Sequence, residues 1–138
     1  MEVSDHYHPW LGNQGNSPFA WTLLGAIAAR SDRIGLATGV TCPTVRYHPA
    51  IIAQAAATMA LLSEGRFTLG PGSGERLNEH VVGRGFPDTV TTRQEKLHAA
   101  IEIIELLWHG ATSRMTVHTS GCPTPAYSTC PTLPLALP

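Results

Sequence analysis

The stretch RIGLATGVTCPTVRYHPAIIAQAAATMALLSEGRFTLG, residues 33–70, decides the fold class of this 138-residue chain. It opens on a short apolar run bounded by glycine, Arg33–Val40, and closes on a second one, Arg66–Gly70. Such runs are typical of buried strands. Ile34 and Phe67 are 33 residues apart. That is the length of one strand–helix unit, so the two strands are predicted to be parallel.

A helix is predicted between these two strands. It begins at His48-Pro49 and ends before Gly65. Its apolar stripe consists of residues three or four positions apart, namely Ile52, Ala55, Met59 and Leu62.

A further helix is predicted on either side of this unit. The first has Ser17 as its N-cap and Pro18 as its first residue, with an apolar stripe of Phe19, Leu23 and Ile27. The last begins at a capping box, Thr92 to Glu95, and ends before Gly110, with a stripe of Leu97, Ile101, Ile104 and Trp108.

A strand tail at Glu2–Asp5 completes an order of strand, helix, strand, helix, strand, helix. This order predicts an α/β fold with a parallel sheet. Two architectures fit it, part of a (β/α)8 barrel of about three strand–helix units and part of a doubly wound sheet.

The composition changes at about Gly110. Residues 111–138 hold five of the eleven prolines, two of the three cysteines and a single charged residue, Arg114. Such a segment buries too little apolar surface to offset the cost of ordering its backbone. The chain is therefore predicted to consist of a folded domain, residues 1–110, and an irregular proline-rich tail, residues 111–138.

Charge and cysteine content exclude several classes of protein. A net charge of −1, from nine basic and ten acidic residues, gives no electrostatic reason to expect nucleic acid or an anionic membrane as a partner. An odd number of cysteines with no CxxC pair argues against a zinc knuckle and against a secreted disulfide framework. The chain has no apolar run near the roughly 20 residues that span a bilayer, and its amino terminus has no signal-peptide pattern. We therefore expect a cytoplasmic protein.

Three polar clusters follow the three predicted strands, at 5–10, 39–44 and 70–78. The carboxyl ends of parallel strands meet at one edge of a sheet, which is where ligands bind in both candidate architectures. The sequence therefore predicts one site assembled from all three clusters.

His6 and His8 allow three interpretations. On an extended strand both rings would face one side, as in barrel hydrolases that hold a metal. Asp5 beside His6 could instead form an acid/base unit, since histidine titrates near neutral pH. The third interpretation is a histidine with a purely structural role at a strand end.

The glycine-rich stretch GPGSGE, residues 70–75, is neither a P-loop nor a dinucleotide fingerprint, because Glu75 stands where a third glycine would be needed. It still permits close approach by a planar cofactor. Glu75 and Asn78 would share a face on a helical turn, and a solvated acid beside a capping asparagine is the structural alternative.

These motifs resemble the luciferase-like barrel oxidoreductases that use the deazaflavin coenzyme F420. Within them the chain is most similar to the group typified by F420-dependent glucose-6-phosphate dehydrogenase. The resemblance covers about residues 2–110 and runs through VSDHYHPW, SPFAW, TGVTCPTVRYHPAIIAQAAATM, EGRFTLGPGSGERLNEHVVG and LLWHG. It implies a (β/α)8 barrel, with F420 rather than FMN as cofactor. It also implies hydride transfer with a small hydroxyl-bearing substrate such as a sugar phosphate or an alcohol, and a homodimer for full-length relatives.

The resemblance also implies roles for individual residues. His6 and Glu75 resemble the catalytic pair, and Trp10 resembles the aromatic wall of the substrate pocket. Gly39-Val40 matches the position of a cis peptide that lies against the deazaflavin ring. The residues that resemble cofactor contacts are Asp5, Gly39, Val40, Cys42, Ser73, Gly74 and Asn78. No metal site is implied.

A complete barrel of this kind takes roughly 250 residues. We therefore expect this chain to be a fragment, with a mis-set start and a shifted reading frame after about Trp108–Gly110. On that expectation the chain alone binds deazaflavin weakly or not at all. A metal-dependent hydrolase and an inactive fragment are the alternative functions.

Overall fold

The computed structural model describes residues 1–83 and 85–110. Three strands alternate with helices: β1 (Glu2–Val3), α1 (Ala20–Ala28), β2 (Leu36–Thr38), α2 (Pro49–Leu62), β3 (Phe67–Thr68), α3 (Arg76–Glu79) and α4 (Val90–Trp108). Two 3-10 turns, Gly12–Gln14 and His80–Val82, lie in the connections. The tail predicted for residues 111–138 lies outside the described residues.

The three strands form one parallel sheet in the order β1-β2-β3. Val3 pairs with Thr38, and Leu36 pairs with Phe67. The predicted parallel sheet is therefore confirmed, although the ladder is shorter than the apolar runs. One further bridge, between Thr41 and Pro71, extends the β2–β3 pairing toward the carboxyl ends of the strands.

The core lies between the sheet and the helices. One cluster joins α1, β2 and α2 through Leu24, Ala28, Leu36 and Met59. A second joins α2 to α4 through Ile52, Ala53 and Ile104. The indole nitrogen of Trp108 donates a hydrogen bond to the carbonyl oxygen of Ala53 at 3.0 Å, which ties the end of α4 to α2.

Helix α2 begins where it was predicted to begin. His48 is its N-cap, and its ring nitrogen accepts from the backbone N–H of Ala50 at 3.1 Å. Gly65, just past the helix, has a φ of 80°. This is a left-handed conformation that favours glycine. The buried face consists of Ile52, Ala53, Ala56 and Met59, so half of the predicted stripe is correct. Leu62 is instead more than half exposed.

Helix α1 departs from its prediction at its start and in its buried face. Phe19, not Ser17, is the N-cap, because the Ser17 hydroxyl donates to the carbonyl oxygen of His6 at 2.6 Å instead. The buried face is Ala20, Leu24 and Ala28. This is one position later than the predicted stripe, because Leu24 and Ala28 are the residues that pack with Leu36 of β2, and Phe19 is left more than half exposed.

Helix α4 begins one turn earlier than predicted. Thr89 is its N-cap and accepts from the backbone N–H of Thr92 at 3.1 Å, so the predicted capping box at Thr92 is wrong. Ile104 faces the core as predicted. None of the helices within residues 1–83 and 85–110 combines the length and apolarity needed to span a bilayer.

Candidate active site

A cleft of about 410 Å³ lies at the carboxyl ends of the three strands. Its volume is within the range of small-molecule sites. All ten residues that the sequence marked as site residues line it: Asp5, His6, Trp10, Gly39, Val40, Cys42, Ser73, Gly74, Glu75 and Asn78. Residues from the three polar clusters therefore line one cleft, and their functional roles stay a prediction. Glu2, Ser4 and Glu79 also line the cleft and were not predicted.

His6 is held at both ring nitrogens. The indole N–H of Trp10 donates to Nδ1 at 2.6 Å, and the two rings stack with centroids 5.6 Å apart. Nε2 lies 3.5 Å from Oε1 of Glu75. An indole N–H can only donate, so Nδ1 is the unprotonated nitrogen and the neutral ring carries its hydrogen on Nε2. This tautomer directs the His6 N–H toward the Glu75 carboxylate.

Asn78 connects the glycine-rich loop to the end of β1. Its side-chain amide donates to Oε1 of Glu75 at 2.6 Å, and its carbonyl oxygen accepts from the backbone N–H of His8 at 2.9 Å. The predicted shared face of Glu75 and Asn78 is confirmed, because the segment after Glu75 forms the short helix α3 instead of a loop. Asn78 is 1% exposed, whereas Glu75 reaches into the cleft.

Asp5 lies at the floor of the cleft, is 3% exposed, and its carboxylate accepts four hydrogen bonds. Oδ2 accepts from the Trp21 indole at 3.1 Å and the Thr41 hydroxyl at 2.9 Å. Oδ1 accepts from Arg46 Nη2 and from the Tyr47 hydroxyl, each at 3.1 Å. A carboxylate has about four acceptor positions. In this arrangement all four acceptor positions are taken by donors from the protein. The role of Asp5 as a direct cofactor contact stays a prediction.

The donors to Asp5 include two residues that the sequence analysis did not identify as site residues, Arg46 and Tyr47. The sequence feature that could have identified them is an arginine next to a tyrosine between a strand end and a helix cap, in a stretch with no other charged residue. Burial, and then the charge of Asp5, raises the pKa of the Tyr47 hydroxyl, which keeps it a hydrogen-bond donor at neutral pH.

Glu79 is a second buried carboxyl group that the sequence did not reveal. It is 2% exposed and lies on α3, close to Cys42 and Arg46. Burial raises its pKa, and this outweighs the backbone hydrogen bond and the charge of Arg46, which lower it. Burial likewise raises the pKa of the Cys42 thiol, which lies 3.2 Å from the Thr44 hydroxyl. Cys42 is therefore a protonated, poorly reactive thiol at neutral pH.

The glycine-rich loop packs directly on the β2 end of the cleft. A Cβ on Gly70 would lie 2.2 Å from the carbonyl oxygen of Thr38, and one on Gly72 would lie 2.3 Å from a methyl group of Val40. The peptide bond between Gly39 and Val40 is cis, at the position that the family resemblance implied.

The two histidines of the opening segment are separated in the structure. Strand β1 ends at Val3, so His6 and His8 do not occupy alternating positions on a strand. The His8 ring stacks on His80, 5.9 Å away, and contacts Tyr7 edge-on. Residues 1–83 and 85–110 contain no group of three or more His, Cys, Asp or Glu that could hold a metal. The interpretation in which His6 and His8 share one face of a strand is therefore not supported.

A larger cleft of about 920 Å³ lies between α2, β3 and the end of α4. It is lined by Ala56, Ala57, Ala60, Leu61, Phe67, Thr68, Leu69 and Trp108. Among these residues there is no titratable side chain, so the chemistry of the described residues gathers at the smaller cleft.

Parallel strand–helix units with a polar cleft at the carboxyl ends of their strands define an α/β protein of the barrel or doubly wound class. A family model described as luciferase-like monooxygenase matches residues 1–136. The chain belongs to this family, and the prediction of a partial luciferase-like barrel is confirmed.

Individual relatives agree with this assignment. The F420-dependent glucose-6-phosphate dehydrogenase of Beutenbergia cavernae is 46% identical over 115 residues, which are 83% of this chain and 33% of the relative. The F420-dependent hydroxymycolic acid dehydrogenase of Mycobacterium tuberculosis is 44% identical over 116 residues, 84% of this chain and 32% of the relative. The chain thus spans about a third of the length of these curated relatives.

Among solved structures, an F420-dependent secondary alcohol dehydrogenase in complex with an F420–acetone adduct superposes with a TM-score of 0.78. Its sequence is 34% identical, and the match covers 86% of this chain and 36% of that one.

Proposed function

We propose that this chain is the part of an F420-dependent oxidoreductase that carries the acid/base pair, and that the whole protein transfers hydride between a hydroxyl-bearing substrate and F420. The observation that carries the proposal is the His6–Glu75 pair, 3.5 Å apart, in the cleft at the strand ends. Relatives named as F420-dependent dehydrogenases support it.

The cleft fits a flat cofactor on the side formed by the glycine-rich loop. Gly70, Gly72 and Gly74 each lie where a Cβ would clash with a neighbouring atom at 2.2 to 2.6 Å. At Gly70 and Gly72 the backbone of the loop therefore packs directly against Thr38 and Val40 at the end of β2. Ser73 and Gly74 line the cleft as small residues. Such a surface allows close approach of a planar ring. The names of the relatives favour F420 over FMN.

F420, when bound, supplies a carbon that accepts or donates a hydride. The residues of this chain then bind and position the proton that is transferred together with the hydride. Trp10 occupies the lone pair of His6 Nδ1, so in this arrangement His6 is a hydrogen-bond donor through Nε2. The Asn78 amide donates to Oε1 of Glu75, and Nε2 of His6 lies 3.5 Å from the same oxygen, so both groups face the Glu75 carboxylate at the cleft. We therefore assign the proton-accepting position to Glu75 and the orienting position to His6.

The substrate is proposed to be a small hydroxyl-bearing molecule such as a sugar phosphate or an alcohol. No lysine or arginine is found among the described residues that line the cleft. Groups that would bind a phosphate would therefore come from outside residues 1–83 and 85–110. A homodimeric full-length protein in the cytoplasm is part of the same proposal.

A chimera tests the proposed function. Residues 1–110 replace the matching third of the Beutenbergia cavernae relative, and deazaflavin reduction by glucose 6-phosphate is measured by absorbance. We expect turnover, and we expect His6→Ala or Glu75→Gln to lower kcat by at least about 100-fold, the usual contribution of a positioned acid/base group. His98→Ala, on the exposed surface of α4, is the matched control. A folded chimera without turnover, or one indifferent to both substitutions, contradicts the proposal.

The chain alone gives a second measurement. With about a third of the length of its relatives, it is expected to bind deazaflavin only weakly in a fluorescence titration. Micromolar affinity would show that these residues suffice for the cofactor.

A further inference from the structure

Arg46 lies beneath the cleft without lining it. Its side chain is 9% exposed, and it stands between two carboxylates that come from different parts of the chain, Asp5 after β1 and Glu79 on α3. Arginine is seldom buried unless it is paired. Its contacts on each side show what it holds in place.

On one side, Arg46 holds the peptide that leads into His6. Nη2 donates to the main-chain carbonyl oxygen of Asp5 and to Oδ1 of the Asp5 carboxylate at 3.1 Å. That carbonyl belongs to the peptide bond between Asp5 and His6. The next carbonyl, of His6 itself, accepts from the Ser17 hydroxyl at 2.6 Å. The backbone on both sides of the His6 Cα is therefore fixed by side-chain donors.

On the other side, Arg46 holds helix α3. Its backbone N–H donates to Oε2 of Glu79 at 3.0 Å, and its Nε faces Oε1 of the same carboxyl group at 3.8 Å. Nε is buried and has no hydrogen-bond partner within the part of the chain that the structure describes. Helix α3 also carries Asn78, which donates to Glu75.

We infer that Arg46 is a positioning residue of this site, which sets the separation of His6 from Glu75 by fixing the Asp5–His6 peptide against helix α3. Its consequence for catalysis depends on the proposed function, whereas the positioning itself does not. Trp10 alone could not hold the ring of His6, because its own side chain is 66% exposed. The orientation of the ring therefore depends on how firmly its backbone is held.

The planar guanidinium suits this role because it carries donors in several fixed directions. Lysine would keep the positive charge, but its single nitrogen cannot occupy both the position of Nη2, which donates to the main-chain oxygen and to Oδ1 of Asp5, and the position of Nε, which faces Glu79. Methionine would keep much of the volume and remove every donor. Comparing the two separates the effect of charge from the effect of geometry.

The experiment uses NMR spectroscopy of the full chain without cofactor. In the wild type, a held guanidinium should give separate, slowly rotating Nη resonances for Arg46, identified by their loss in Arg46→Lys. The ring nitrogens of His6, identified by His6→Gln, should show the single tautomer with hydrogen on Nε2. Both Arg46→Met and Arg46→Lys should replace this signature with an average of the two tautomers.

Ser63→Ala is the matched control, because Ser63 is fully buried at the end of α2, before β3 and away from the cleft. It should leave the His6 signature unchanged whatever it does to stability. Folded Arg46 variants with an unchanged His6 signature would overturn the inference. If neither variant folds, the wild-type spectrum decides, and rapidly averaged Nη resonances would overturn it. Inactivity of the chimera would count against the proposed function without affecting these spectra.

Discussion

Replacing Asp5 with asparagine should destabilise the chain far more than removing any one of its hydrogen-bond donors. The carboxylate accepts two hydrogen bonds at each oxygen, from Trp21 and Thr41 at Oδ2 and from Arg46 and Tyr47 at Oδ1. An amide has one acceptor atom, so in either orientation two of the four donors face an NH2 group.

The expected cost follows from this count. Each lost hydrogen bond to a buried charged acceptor costs about 1.5–3 kcal/mol, so two cost about 3–6 kcal/mol. The independent figure for removing one partner of a buried ion pair is about 3–5 kcal/mol. By contrast, Tyr47→Phe removes one donor and leaves Asp5 with three, so we expect about 1.5–3 kcal/mol.

Urea unfolding followed by far-UV circular dichroism measures these costs without depending on the tryptophan beside Asp5. Asp5→Asn, Tyr47→Phe and the double variant form a cycle, and the double variant should cost about 0.5–3 kcal/mol less than the sum because both changes act on one network. If Asp5→Asn is unfolded in water, its cost is at least the wild-type stability. A cost no larger than that of Tyr47→Phe, or strict additivity, would refute this account of the Asp5 network.

Three further predictions use other features of the site. Burial raises the pKa of Glu79 above its ordinary 4.5, so the folded state favours the protonated form of its carboxyl group. The contribution of Glu79 to the free energy of unfolding is therefore present below pH 4.5 and is lost as the pH rises through the folded pKa. The stability of the wild type relative to Glu79→Gln should therefore fall as the pH rises above about 4.5, and a constant or rising difference in urea unfolding would contradict the shift. Gly70→Ala should cost about 1–3 kcal/mol, because its Cβ meets a carbonyl oxygen of β2 at 2.2 Å. Gly25→Ala in α1, with open space at its Cβ, should stabilise by about 0.5–1 kcal/mol, and thermal unfolding of both tests the contrast. Trp10→Phe should release Nδ1 of His6 and abolish the single-tautomer NMR signature, and an unchanged spectrum would show that Trp10 does not set the tautomer.

The parts of the site that the sequence predicts correctly are those that depend on local spacing. Glu75 and Asn78 are three residues apart and meet because one helical turn brings such residues together. The strand ends converge because the unit between residues 34 and 67 has the length that makes neighbouring strands parallel. Both inferences need only the geometry of one element or one repeating unit.

The parts that sequence reasoning misses depend on contacts between distant residues. Arg46 and Glu79 are 33 residues apart, and neither stands in a pattern that indicates burial or pairing. The offset of α1 has a related cause. Leu23 and Leu24 are equally apolar, so the helical period alone allows either to face the sheet, and packing of Ala20 and Ala28 selects Leu24. Close packing against another element decides what periodicity leaves open.

The raised pKa of Glu79 has a direct connection to the cluster beneath the cleft. Two carboxyl groups, Asp5 and Glu79, share the single guanidinium of Arg46, and two ionised carboxylates would leave an excess negative charge in a buried region. Asp5 accepts four hydrogen bonds, one of them from the guanidinium, whereas the guanidinium nitrogen nearest to Glu79 is 3.8 Å away, so the charge of Arg46 offsets only part of the rise that burial causes in the pKa of Glu79. A neutral Glu79 still accepts the backbone N–H of Arg46, and the buried cluster is then a balanced pair of one carboxylate and one guanidinium. Glu75, whose side chain is 40% exposed in the cleft, is not part of this buried cluster.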